Sequence, residues 1–152
     1  MKFDYMAIPT RRPVPSLAGQ SVRYRPVIAV LLTGSATPQL RDGLLDTGAD
    51  DTVFSESVAA ALGADLSRAD QCFISLAGRP QPMICRYTKV QLRISDGTEA
   101  FEWPAVVGFV AARLHYALLG QAGFLQYFRA DFDGDARVVE LVPKPSFPGC
   151  RV

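Results

Sequence analysis

The sequence is short of the residues that most catalytic and binding chemistries need. It has one histidine, His115, and three cysteines, Cys72, Cys85 and Cys150, widely spaced and without a C-x-x-C pair. That pattern encodes neither a zinc site nor a disulfide framework, so no metal or other cofactor is expected. There is no G-x-S-x-G elbow and no cysteine in a nucleophile turn, which leaves Ser- or Cys-based hydrolysis without its nucleophile. His115, in Leu114-His115-Tyr116-Ala117, reads as a packed structural histidine. Gly120-Gln121-Ala122-Gly123 has neither the G-x-G-x-x-G spacing nor a following Lys-Ser/Thr, so nucleotide phosphates have no cradle.

Charge of one sign and long apolar runs are also missing. Sixteen Lys and Arg stand against fifteen Asp and Glu, a net charge of +1 with no polybasic block, so neither nucleic acid nor an anionic membrane is an expected partner. The longest apolar runs, over 27–32 and 105–112, fall well short of the roughly 20 residues that a spanning helix needs. Met1-Lys2-Phe3-Asp4-Tyr5-Met6 carries an acid and no apolar h-region, unlike a secretory signal, and a cytoplasmic location is the expectation. What is present, 152 residues of which 49% are hydrophobic, suits one compact domain.

Residues 1–24, rich in Pro and Arg with a possible strand over 2–8, read as an arm; 25–142 read as the domain and 143–152 as an irregular tail. Within the domain, strands over 26–32 and 39–45 form a hairpin broken by Gly34-Ser35-Ala36-Thr37-Pro38. Ser55 offers an N-cap to a short helix over 56–62, and Gly63 ends it. Strands over 71–76 and 83–94 flank a turn at Ala77-Gly78-Arg79-Pro80. The second of them alternates, Lys89, Gln91 and Arg93 on one face and Val90, Leu92 and Ile94 on the other. Asp96-Gly97 returns the chain into a strand over 99–107, a second short helix covers 121–127, and a last hairpin turns at Asp133-Gly134-Asp135. The sum is an all-β, barrel-like domain with two short helices.

The chemistry concentrates in Leu44-Leu45-Asp46-Thr47-Gly48-Ala49-Asp50-Asp51-Thr52-Val53. An aspartate directly after two buried aliphatics is a carboxylate delivered by a core strand into a tight loop. Burying it is costly unless it is hydrogen-bonded, and the adjoining N–H groups, the Thr47 hydroxyl and the flexible Gly48 are the donors at hand. An Asx-turn at a strand end has the same spacing, and spacing alone does not separate the two.

This run resembles the active-site loop of the retroviral-type aspartic proteases, the retropepsins. Leu118-Leu119-Gly120, about seventy residues downstream, resembles their second signature, and Arg25-Pro26-Val27-Ile28 the start of their first core strand. The resemblance implies a closed β-barrel with one lobe per chain, a flap hairpin and no cofactor. It also implies peptide-bond hydrolysis, in which one carboxylate deprotonates a water and one carboxylic acid polarises the carbonyl. The chain has a single Asp-Thr-Gly; Asp96-Gly97-Thr98 and Asp133-Gly134-Asp135 read as hairpin turns. The second carboxylate must then come from another copy, giving a homodimer with two Asp46 side chains sharing a proton across its axis.

By the same resemblance, Asp46, Thr47 and Gly48 are the catalytic loop, and Leu44, Ala49, Asp50, Asp51, Tyr116 and Leu118 line the peptide cleft. Leu76, Ala77, Gly78 and Arg79 meet substrate from the flap, over 72–87. Arg25, Asp50, Gly120 and Gln121 form the dimer network, Gln121 standing where the family has an arginine. If the flap turn centres between Gly78 and Arg79, Cys72 and Cys85 stand opposite each other, expected as reduced thiols. Two other functions fit a barrel of this kind: a peptide-binding or dimerisation module with little or no proteolysis, and a monomeric ligand-binding barrel in which Asp46 is structural.

Overall fold

The computed structural model describes every residue of the chain except Arg79. An N-terminal group of short strands, β1 (Lys2–Asp4), β2 (Met6–Pro9) and β3 (Val22–Arg25), precedes the hairpin β4 (Val27–Thr33) and β5 (Gln39–Leu45). Then come β6 (Val53–Ser55), helix α1 (Glu56–Leu62), and the long strands β8 (Met83–Ser95) and β9 (Ala100–Val110), with β7 (Asp70–Ile74) before them. β10 (Ala117–Leu119), β11 (Phe128–Asp133), β12 (Val138–Pro143) and β13 (Cys150–Arg151) complete the chain.

The strands β9, β6, β10, β5, β4 and β8 are hydrogen-bonded in that order, and β8 pairs back onto β9, so the sheet closes into a six-stranded barrel. Closure removes the open edges that a sheet of this size would otherwise expose. The period-two pattern of β8 sets its two faces: Val90, Leu92 and Ile94 are buried in the barrel, and Lys89, Gln91 and Arg93 face solvent. β6 and β10 are short because each only threads between neighbours, β6 parallel to β9 and β10 parallel to β5. α1 covers one side with Val58, Ala59 and Leu62, and Gly63 ends it in the left-handed region at φ 70°. The Ser55 side chain makes no cap bond to the helix and instead accepts from the Leu114 N–H at 3.1 Å.

Three parts depart from the sequence expectation. The tail is not wholly irregular: Phe147 packs on Trp103 with centroids 5.5 Å apart, and β13 pairs with β9 through Cys150↔Glu102 and Arg151↔Phe101. Pro145, Pro148 and Gly149 mask that pattern, and two residues of strand show no period. The second helix is a single 3-10 turn over Leu125–Tyr127 rather than 121–127, because Gly123 sits at φ +85°. The Gly123 carbonyl accepts the buried Trp103 indole N–H at 3.1 Å. The arm has the strand expected over 2–8, as β1 and β2, but it is paired into the fold rather than leading up to it. β1 pairs with β12 in a three-stranded sheet with β11, β2 pairs with β3, and the Met1 side chain lies in the core.

Asp96 ties that sheet to the β8–β9 turn, its carboxylate accepting N–H bonds from Thr98 at 2.9 Å, Glu99 at 2.8 Å and Lys2 at 2.9 Å. These bonds hold its pKa at about 2, below the ordinary 3.8. A depressed folded-state pKa stabilises fully above the ordinary value, and the benefit is lost as pH falls through the folded one. Asp96→Ala is therefore expected to lower the melting temperature by a few degrees at neutral pH, and thermal scans should show the gap to wild type narrowing between about pH 4 and pH 2.

Candidate active site

The site begins at the ends of two parallel strands. Leu118 and Leu119 of β10 pair with Leu44 and Leu45 of β5, and the inward Leu45 and Leu119 are buried. Asp46 is the next residue out of β5, half-buried, its N–H donating to the Leu119 carbonyl at 3.2 Å. The chain then turns: the Ala49 N–H donates to the Asp46 carbonyl at 3.2 Å, and the Gly48 N–H to Asp46 Oδ1 at 2.9 Å. The Asx-type bond is thus present, but on a carboxylate fastened at its base to a core strand. Thr47 and Gly48 are exposed beside it.

A second segment, 119–122, locks this loop from the other side. Gln121 N–H donates to the Ala49 carbonyl at 2.9 Å, Ala122 N–H to the Asp50 carbonyl at 2.8 Å, and Thr52 N–H to the Ala122 carbonyl at 3.0 Å. The Gln121 side-chain amide adds a bond to the Thr47 carbonyl at 3.3 Å, so a neutral brace occupies this position. Gly120 is required by contact: any Cβ there would collide with the backbone carbonyls of Asp51 and Ala49. Arg25 and Asp50 are both exposed, and among the described residues no ion pair joins them within one chain.

Between this loop and the β7–β8 hairpin lies a cleft of about 390 Å³. Gly48, Ala49, Asp50, Asp51, Val53 and Leu118 line one side and Cys72 to Leu76 the other. Of the residues expected to meet substrate, Ala49, Asp50, Asp51, Leu76 and Leu118 are therefore brought together. Leu44 and Tyr116 do not line this cleft, Leu44 pairing with Val27 and Leu118, and Tyr116 stacking edge-on against His115 at 4.4 Å. Ala77 and Gly78 are exposed beyond it, and Arg79 lies outside the described residues. A larger cavity of about 630 Å³ lies beside α1, bordered by Arg41, Asp42, Arg113 and His115, and does not include the Asp46 loop.

Two residues that sequence reasoning missed stand out. Phe73 lines the cleft while three-quarters exposed, and a large apolar side chain on a predicted hairpin strand was the available signal. Tyr87, on β8, donates its hydroxyl to Asp51 Oδ2 at 2.8 Å and lies 3.2 Å from the Cys72 sulfur. No motif marks it. Burial, followed by its bonds to Cys72 and Asp51, pushes the phenol far above its ordinary pKa, so it remains a donor at any working pH. Cys72 and Cys85 are directly opposite in the β7–β8 ladder, as the expected turn centre implies, and are free thiols; burial pushes that of Cys85 up. Among the described residues no group of three His, Cys, Asp or Glu side chains could hold a metal ion.

No protein-family model matches the chain, and no curated protein does. Among solved structures the chain is similar to a retropepsin-like aspartic protease from Rickettsia conorii, over 100% of this chain and 97% of that one, with a TM-score of 0.52. The fold is retropepsin-like. Sequence identity is 15%, so the likeness is one of fold.

The interlock at Gly120 yields a direct check. Gly120→Ala is expected to destabilise by about 1–3 kcal/mol, read from denaturant midpoints, since the new methyl displaces two carbonyls that cannot yield. Gly134→Ala, where a Cβ meets open space, should change the midpoint little.

Proposed function

We propose that the chain is one half of a homodimeric aspartic endopeptidase, with Asp46 of two copies as the catalytic pair. The observation that carries this reading is the delivery of Asp46 from the joined ends of β5 and β10, next to an open cleft walled by a hairpin. A carboxylate anchored in that way has a fixed position and an exposed approach, which general acid–base work on a bound peptide requires. In the dimer two such groups in contact cannot both ionise, so one is the base toward water and the other the acid toward the scissile carbonyl. Thr47 and Gly48 complete the loop at the axis, and Arg25 of one copy reaches Asp50 of the other.

Substrate is an extended peptide or protein segment, held by main-chain bonds along the cleft, and the β7–β8 hairpin is the flap that closes over it and excludes water. Leu76, Leu118 and Phe73 favour apolar side chains near the cut. No described helix is long and apolar enough to cross a membrane. Retention of Asp46 between Leu45 and Thr47 favours the enzyme over a pure binding module, which has no use for two repelling carboxylates at an axis.

A peptide library incubated from acidic to neutral pH tests the reading. Wild type should cleave, and Asp46→Asn should lose about 10²- to 10⁴-fold of that activity while keeping its circular dichroism spectrum. Cleavage that survives in Asp46→Asn refutes the mechanism; binding without cleavage by wild type favours the module.

A further inference from the structure

β7 is the outermost strand of its sheet: it pairs only with β8, and all its residues except Ile74 are exposed. An exposed edge strand with one neighbour is among the first parts of a sheet to open. Yet β7 supplies the hairpin wall of the cleft, through Cys72, Phe73 and Ile74. Its partner β8 is anchored at the matching position. Cys85 is fully buried in a small core with Val53 and Val110, on which Leu76 and Leu118 of the cleft also pack.

Cys72 and Cys85 stand directly opposite each other in an antiparallel ladder, which puts their side chains on one face of the hairpin and their Cα atoms about 4.5–5.5 Å apart. A disulfide spans Cα separations of about 4.4–6.8 Å, so a bond between them needs no movement of the backbone. Tyr87 lies two residues along β8 on the same face, its hydroxyl 3.2 Å from the Cys72 sulfur. Burial pushes the Cys85 thiol up and a bond to the same hydroxyl pulls the other way, so both sulfurs border one phenol. In the free-thiol state the Cys85 sulfur fills the space that a side chain at Gly108 would need, and rotation about its Cα–Cβ bond turns it toward Cys72. Cys150 is out of reach: it pairs with Glu102 on β9 and Cys85 with Val110, eight residues along that strand, or roughly 26 Å.

We propose that Cys72 and Cys85 are an oxidisable pair, which a hydroperoxide converts to a disulfide that clamps β7, the outer wall of the cleft, onto the barrel. Cys72, exposed and on the cleft, reacts first: its thiolate sulfur attacks hydrogen peroxide, the O–O bond breaks, and a sulfenic acid forms as hydroxide leaves. The Cys85 sulfur then attacks that of Cys72, the S–O bond breaks, and water departs with the Cys85 proton. In sum two thiols lose two electrons and two protons, and the peroxide becomes two waters. The consequence for catalysis rests on the endopeptidase reading: with the flap clamped, peptide enters more slowly.

The test treats wild type with stoichiometric hydrogen peroxide, alkylates it, and maps it by mass spectrometry, while amide exchange over 70–76 is followed in the intact protein. The expected product is a cross-link within one chain between the Cys72 and Cys85 peptides, removed by dithiothreitol, with Cys150 still free and exchange over 70–76 slowed about tenfold. Neither change should appear in Cys72→Ser or in Cys85→Ser, and either variant suffices if the other does not fold. Cys72 carried to a sulfinic acid, a bond to Cys150, no reaction, or a cross-link that leaves exchange unchanged overturns the inference. In the cross-linked protein kcat/KM should fall about tenfold and return on reduction. An unchanged kcat/KM overturns the control of the cleft, and a wild type that cleaves nothing in either state contradicts the endopeptidase reading alone.

Discussion

The interlock between the loop after β5 and the segment after β10 is the constraint on which the rest of the structure depends. Two stretches about seventy residues apart in sequence exchange main-chain bonds from Asp46 to Thr52, and a glycine at position 120 lets their backbones approach. That contact positions β10 beside β5, which in turn lets β6 pair with β10 and the barrel close through β9 and β8. It also immobilises the carboxylate of Asp46 without burying it. Fold and site therefore share one device, and any displacement of 119–122 moves both.

The legible parts of the molecule are those whose physics is local. The alternation of Lys89 to Ile94, the Asp96-Gly97 turn and the Ser55-to-Gly63 helix each follow from period, turn chemistry or capping. The run from Leu44 to Val53 and the Leu118-Leu119-Gly120 signature also mark the two segments that interlock. The opposition of Cys72 and Cys85 follows from counting outward from a turn. What stays hidden depends on partners remote in sequence. Nothing near Tyr87 announces that its hydroxyl meets Asp51, and the short β13 and the 3-10 turn at Leu125 are imposed by packing around Trp103. Ser55 likewise caps by rule but bonds Leu114 in fact, because tertiary contact outcompetes the local option.

Gln121, directly after Gly120, braces the loop without adding a charge. Its bond to Thr47 is neutral, and Asp50 is left exposed and without an ion pair among the described residues of its own chain. In the proposed dimer, the charge at Asp50 is answered by Arg25 of the second copy. The near-neutral total charge supplies little long-range steering, in keeping with the proposed recognition of an extended peptide by shape and main-chain bonds.

The central claim is that one site needs Asp46 from two chains, and mixing tests it most directly. Wild type and Asp46→Asn protein are combined at constant total concentration, allowed to exchange, and assayed on a cleaved peptide. The account predicts activity falling as the square of the wild-type fraction, to about one quarter at an equal mixture, because only dimers of two wild-type chains carry both carboxylates. Activity that falls in simple proportion, to about one half at an equal mixture, would mean that each chain acts alone and would contradict it.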